Sequence, residues 1–62
     1  MNKYSHRDKG FLYFEQGQMD KAMDEFDQAL RADPQDASTH FGRGLCWYAQ
    51  GEFDKAIGEF AR

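Results

Sequence analysis

Valine is missing from this chain, and its only β-branched residues are Thr39 and Ile57. A sheet built without such residues is unusual, because they and aromatics are what pleated strands favour. Cysteine occurs once, as Cys46, which removes an internal disulfide and every multi-cysteine metal site. No apolar run approaches the roughly 18 residues of a membrane span, so no membrane contact is expected. No basic start leads into an apolar stretch and a small-residue cleavage site. Without that signal the default expectation is a cytoplasmic protein. Excess positive charge is absent as well: Lys and Arg number 8 against 11 Asp and Glu, for a net charge of −3. That balance is too acidic and too evenly mixed for a nucleic-acid footprint. At 62 residues the chain holds one small domain or a piece of a larger array, burying only about 60% of its unfolded surface.

What the chain does carry is aromatics, ten of them, set among Ala, Gln, Met, Lys and Glu. Leu, Ile, Val and Phe together make only ten residues, a level that can accompany disorder. Low net charge and the aromatics oppose that outcome, and the remaining material is helix-forming. The expected class is all-α.

Laid on itself with an offset of 34, the sequence matches at His6/His40, Gly10/Gly44, Gln16/Gln50, Gly17/Gly51, Asp20/Asp54, Lys21/Lys55, Ala22/Ala56, Glu25/Glu59 and Phe26/Phe60. Nine of 28 comparable positions agree, where chance gives roughly two; a fixed period of this size marks a helical repeat array. Several mismatches keep their character, among them Lys9/Arg43, Phe11/Leu45, Tyr13/Trp47, Phe14/Tyr48 and Met23/Ile57. The chain thus holds one whole repeat over 3–36 and a truncated second over 37–62, about 1.8 repeats in all.

Each unit divides into two helices. Met19, Ala22, Met23, Phe26, Ala29 and Leu30 form an amphipathic stripe, with Asp20, Asp24, Asp27, Gln28 and Arg31 on the wet side. Asp33-Pro34 ends that helix, since the residue before proline is pushed away from helical geometry. Asp36 is then placed to cap the next one. The stripe restarts as Phe53, Ala56, Ile57 and Phe60. Gly17 and Gly51 stand where each first helix must end and supply a left-handed cap. Helices are expected over about 4–16, 19–32 and 37–50, with a shortened fourth over 53–62 weakened by Gly58.

The first helix of each unit is apolar almost all round. One face carries His6, Gly10, Tyr13 and again His40, Gly44, Trp47. There glycine permits close approach of the partner helix, with Ala22 or Ala56 as the small residue to meet it. The opposite face carries Tyr4, Arg7, Phe11, Phe14 and again Ser38, Phe41, Leu45, Tyr48 at helical spacing. That second face needs a neighbour or a ligand.

These residues resemble the tetratricopeptide repeat, a 34-residue helix–turn–helix unit that stacks into an α-solenoid. Counted from Lys3 and Ala37, the small residue at position 8 is Gly10 and Gly44, and the aromatic at 11 is Tyr13 and Trp47. The turn glycine at 15 is Gly17 and Gly51, the alanine at 20 is Ala22 and Ala56, and the aromatic at 24 is Phe26 and Phe60. Ala29 and Pro34 fill positions 27 and 32 in the first unit. Two positions depart from the pattern alike in both units: His6 and His40 stand where a large apolar residue is usual, and Lys9 and Arg43 where leucine is.

The resemblance implies protein or peptide recognition by a concave groove, here Tyr4, Arg7, Phe11, Phe14, Phe41, Leu45 and Tyr48. The subset of the family that clamps a terminal carboxylate uses lysines and asparagines on this surface. Only Arg7 is cationic here, so that role is not carried over. The same stripe can instead be packing between first helices or a self-association surface.

A unit of this kind does not bury its apolar face alone; about three are normally needed. Phe53, Ile57 and Phe60 are therefore expected to be covered, either by a second copy in a homo-oligomer, helix exchange included, or by the rest of a longer array. His6 and His40, at equivalent positions of stacked helices roughly 8–10 Å apart, are too distant to share a metal. No nucleophile–base set and no phosphate loop is present, so neither an enzyme nor a cofactor is expected.

Overall fold

A computed structural model of the chain describes residues 4–61, so Lys3 and Arg62, taken above as repeat limits, lie outside the described residues. Four helices follow one another: α1 (His6–Glu15), α2 (Met19–Ala32), α3 (Ala37–Ala49) and α4 (Phe53–Phe60), with no strand among the described residues. The architecture is an all-α helical repeat. Consecutive helices pack on one another, and α1 also touches α3. None of these helices is long and apolar enough to cross a membrane.

Helix ends follow local chemistry. α1 starts at His6 because Ser5, extended at φ −71° and ψ 167°, accepts the Asp8 backbone N–H on its hydroxyl at 3.1 Å. α3 starts after Asp36, whose Oδ1 accepts from Ser38 N at 3.1 Å and whose Oδ2 accepts from the Thr39 hydroxyl at 2.8 Å. The Thr39 bond comes first in holding the Asp36 carboxyl below its ordinary pKa, ahead of the opposing effect of burial and with help from Ser38 and Arg7. α1 and α3 end alike. Gly17 at φ 77° and Gly51 at φ 79° are left-handed, and the N–H groups of Gln18 and Glu52 reach back to the carbonyls of Tyr13 and Trp47 at 2.9 and 2.8 Å. Only glycine enters that region without strain, so each hairpin turns where its glycine stands.

The core is small. Ala22, Phe26, Cys46 and Ala56 are its buried hydrophobics, with Phe11, Tyr13, Phe14, Met19 and Met23 packed partly against it. At its centre the Phe26 ring lies against two glycines. A Cβ built on Gly10 would stand 2.5 Å from the ring, and one on Gly42 also 2.5 Å. The expected glycine–alanine seam is therefore at its closest a glycine–phenylalanine seam: α1 and α3 are both drawn in upon one aromatic ring. Phe11 meets the same ring edge-on at a centroid distance of 5.0 Å. Burying one phenylalanine in this way contributes about 2–3 kcal/mol, a large share for so small a core.

Candidate functional site

The two departures from the usual repeat pattern have one physical cause. His6 Nδ1 lies 2.7 Å from Glu25 Oε1, and His40 Nδ1 lies 2.8 Å from Glu59 Oε1. Lys9 Nζ stands 3.8 Å from Glu25, and Arg43 Nε donates to Glu59 at 2.9 Å. In both units the first helix thus grips the second through a glutamate, where another chain would use an apolar plug. The second knot is drier and fuller. His40 Nε2 also faces the Pro34 carbonyl at 2.8 Å, so the ring donates to both acceptors only when both nitrogens carry protons. The Trp47 indole N–H points at Glu59 at 3.4 Å. Burial alone would raise the Glu59 pKa, but hydrogen bonds from His40 and Arg43, the Arg43 charge and the Trp47 contact outweigh it and lower the carboxyl. Arg43 also pairs with Asp27, tying α3 to α2.

Two further repeated pairs join the helices of each unit. Lys21 lies 5.7 Å from the centre of the Tyr13 ring, and Lys55 lies 4.6 Å from that of Trp47. Both are surface braces between the helices of one unit. Cys46 is buried against Ala22 and Phe26; burial pushes its thiol up to about 11, with Arg43 opposing weakly.

The aromatic face read from the sequence divides into three places. Tyr4, Phe11, Phe14 and Leu45 line an open pocket of about 460 Å³, joined by Asp8, Leu12 and Glu15. Phe41 stands apart, against Phe60 at 5.7 Å between ring centroids. Tyr48 pairs edge-on with Phe53 at 5.2 Å. Residues expected to bind a ligand and residues expected to mediate self-association thus pair with one another on the second unit, and Phe41, Tyr48, Phe53, Ile57 and Phe60 are all exposed.

Arg7 does not line the pocket, although its Nε stands 3.9 Å from the carboxylate of Asp8, which does. Its guanidinium donates to Asp36 at 3.3 Å, and it lines a separate recess with Ser5, His6, Ala29, Ala32 and Asp36. Among the described residues the pocket lining therefore includes no cation and has two carboxylates, Asp8 and Glu15, one helical repeat of seven apart along α1. Leu12 and Asp8 were not singled out by the sequence. The signal that could have found Asp8 is that 4, 8, 11 and 15 share a single face, which Leu12 borders.

Phe11 has two duties, since one side of its ring packs on Phe26 while it also lines the pocket. Among the described residues no group of three or more His, Cys, Asp and Glu side chains is arranged to hold a metal ion. A family model described as Tetratricopeptide repeat matches residues 7–62. No curated protein and no solved structure matches the chain.

Proposed function

The chain belongs to the tetratricopeptide-repeat family, whose members generally mediate protein–protein contacts as non-catalytic scaffolds, and from that membership we propose a specific mode of recognition for it. The pocket on α1 receives an apolar side chain from a partner segment that carries basic residues beside it. One observation supports this reading above the others: an apolar floor of Phe11, Leu12, Phe14 and Leu45 is flanked by Asp8 and Glu15, with no lining cation among the described residues. The apolar floor supplies affinity, and the acidic rim favours a basic approach and penalises an acidic one.

The test uses two synthetic helical peptides with the same leucine face, one with lysines beside it and one with glutamates. The lysine peptide is expected to bind saturably and to weaken as salt rises, while the glutamate peptide does not bind. Glu15→Lys, at an exposed site in the last turn of α1, is expected to leave the melting temperature unchanged or slightly higher. The same substitution should weaken the lysine peptide several-fold. Equal binding of both peptides, or indifference to Glu15→Lys, refutes the pocket assignment.

A second reading, a self-assembling homo-oligomer, rests on the exposure of Phe53, Ile57 and Phe60. Its signature is a sedimentation mass that rises with concentration.

A further inference from the structure

The two histidine–glutamate pairs agree at one ring nitrogen and differ at the other. Each Nδ1 meets a glutamate on the following helix, His6 with Glu25 and His40 with Glu59. Among the described residues the His6 ring meets no further hydrogen-bond partner, and its side chain is 49% exposed. The His40 side chain is 12% exposed, and its Nε2 lies 2.8 Å from the carbonyl of Pro34, in the loop 33–36 between α2 and α3. Despite burial, the Glu59 carboxyl is lowered by its bonds to His40 and Arg43, so it is ionised at neutral pH. A carboxylate and a backbone carbonyl only accept, so both ring nitrogens are asked to donate.

We infer that His40 is a protonation-operated latch across the joint between the two units. As an imidazolium it ties α4, through Glu59, to the loop after α2, through the Pro34 carbonyl. The neutral ring has a single N–H for the two oxygens. It keeps the bond to the charged acceptor, Glu59, which is the stronger of the two. The other nitrogen then turns a lone pair toward the Pro34 oxygen, and the loop is let go. That loop carries Asp36, which caps α3 and accepts from Arg7 of α1. Release at Pro34 therefore reaches the contacts that set α3 against the first unit.

The charges around the ring favour the cation. Glu59 comes from α4, Asp27 from α2, and Arg43 of α3 is paired with both. With His40 protonated these four side chains sum to zero; with it neutral they keep one unmatched negative charge. Lys55 of α4 lies on the Trp47 ring, and Arg7 of α1 turns to Asp36. In the loop, Asp33 and Asp36 accept from Gln35, Ser38 and Thr39. Burial of the ring and the Arg43 charge oppose the cation. Burial also keeps out the water that would replace the bond a neutral ring gives up, so the two acceptors prevail. The sign follows: the latch is closed below the ordinary histidine value of about 6.5 and opens as pH rises through the higher value in the fold.

The experiment is proton NMR of the full chain from about pH 5 to about pH 9, spanning the ordinary histidine range. The chain has two histidines, and His6→Gln assigns their ring signals. The His40 ring is expected to titrate at least about one pH unit above the His6 ring, since only His40 has an acceptor at each nitrogen. The amide signals of Gln35 and Asp36 should move with the His40 midpoint. Thermal melts should fall across the same pH interval in the parent and in His6→Gln, and stay level there in His40→Gln. If His40→Gln does not fold, the ring and loop signals of the parent still decide. A His40 ring that titrates at or below His6 overturns the inference. So do loop amides that ignore the His40 midpoint, which would mean that Glu59 alone holds the ring, or a melting temperature that does not fall in the parent.

Discussion

Gly42→Ala is the substitution in which packing and helix propensity most directly oppose each other. Inside a helix, glycine to alanine gains up to about 1 kcal/mol from backbone entropy. At Gly42 the new methyl would stand 2.5 Å from Phe26 Cζ, 2.7 Å from Cε1 and 3.0 Å from Cε2. The ring is already hemmed in, because a Cβ on Gly10 would also stand 2.5 Å from its Cε1 and Phe11 packs against it at a centroid distance of 5.0 Å. α3 must therefore lift, and such overpacking costs about 1–3 kcal/mol. Gly58→Ala is the internal control: it is also helical, and its Cβ would meet nothing within 4 Å. The helix terms cancel between the two variants, leaving a separation of about 1–3 kcal/mol from packing alone. For a domain of this size that is at least about 4 °C in melting temperature, with Gly58→Ala above the parent and Gly42→Ala below Gly58→Ala.

Thermal and urea melts followed by circular dichroism read the difference. Phe26→Leu, combined with Gly42→Ala, should recover part of the loss, with a coupling energy above about 0.5 kcal/mol. If Gly42→Ala stabilises as much as Gly58→Ala, the ring is not clasped by α3.

Glu59 has a carboxyl pKa lowered in the fold, so its contribution to stability is present at neutral pH and is lost as acid carries the pH down through the folded-state value. Glu59→Gln should therefore lower stability at neutral pH and flatten the acid limb of a stability-versus-pH curve; an unchanged acid limb would contradict the knot at His40, Arg43 and Trp47. Cys46, raised to about 11 by burial, should resist alkylation at mildly alkaline pH in the native chain and react once urea unfolds it. Modification at the rate of a free thiol without unfolding would show that the core opens. Gly51→Ala forces a side chain into φ 79° and should cost about 1–2 kcal/mol in a urea melt, with Gly17→Ala similar; a neutral result would mean that the turn can close another way. Asp36→Ala removes the cap of α3 and should cost about 1 kcal/mol, read in the same melt.

The tandem hairpin was legible because its signals are local. Gly17 and Gly51 each need only their own backbone to make a left-handed turn, and Asp36 needs only the next two residues to cap a helix. Proline after Asp33 stops α2 by a clash within one dipeptide. Matches 34 apart revealed the duplication without any knowledge of contacts. The site was less legible. Arg7 and Phe11 have a similar claim to the groove by spacing, yet Asp36, 29 residues away, draws Arg7 into a recess of its own. Nothing in the spacing of Phe41 and Tyr48 says that they meet Phe60 and Phe53 from the following helix.

The repeated His6 and Glu25, like His40 and Glu59, were visible as identities, but their bond spans 19 residues and two helices. By itself, then, the sequence determined the helices, their ends and their period, since each is set by interactions reaching only a few residues along the chain. Only the tertiary structure decided that a phenylalanine, gripped by glycines from two other helices, is what the repeat is built around. It also decided which of two equivalent rings is covered, because that depends on what the next helix brings across space and not on the residues beside the ring.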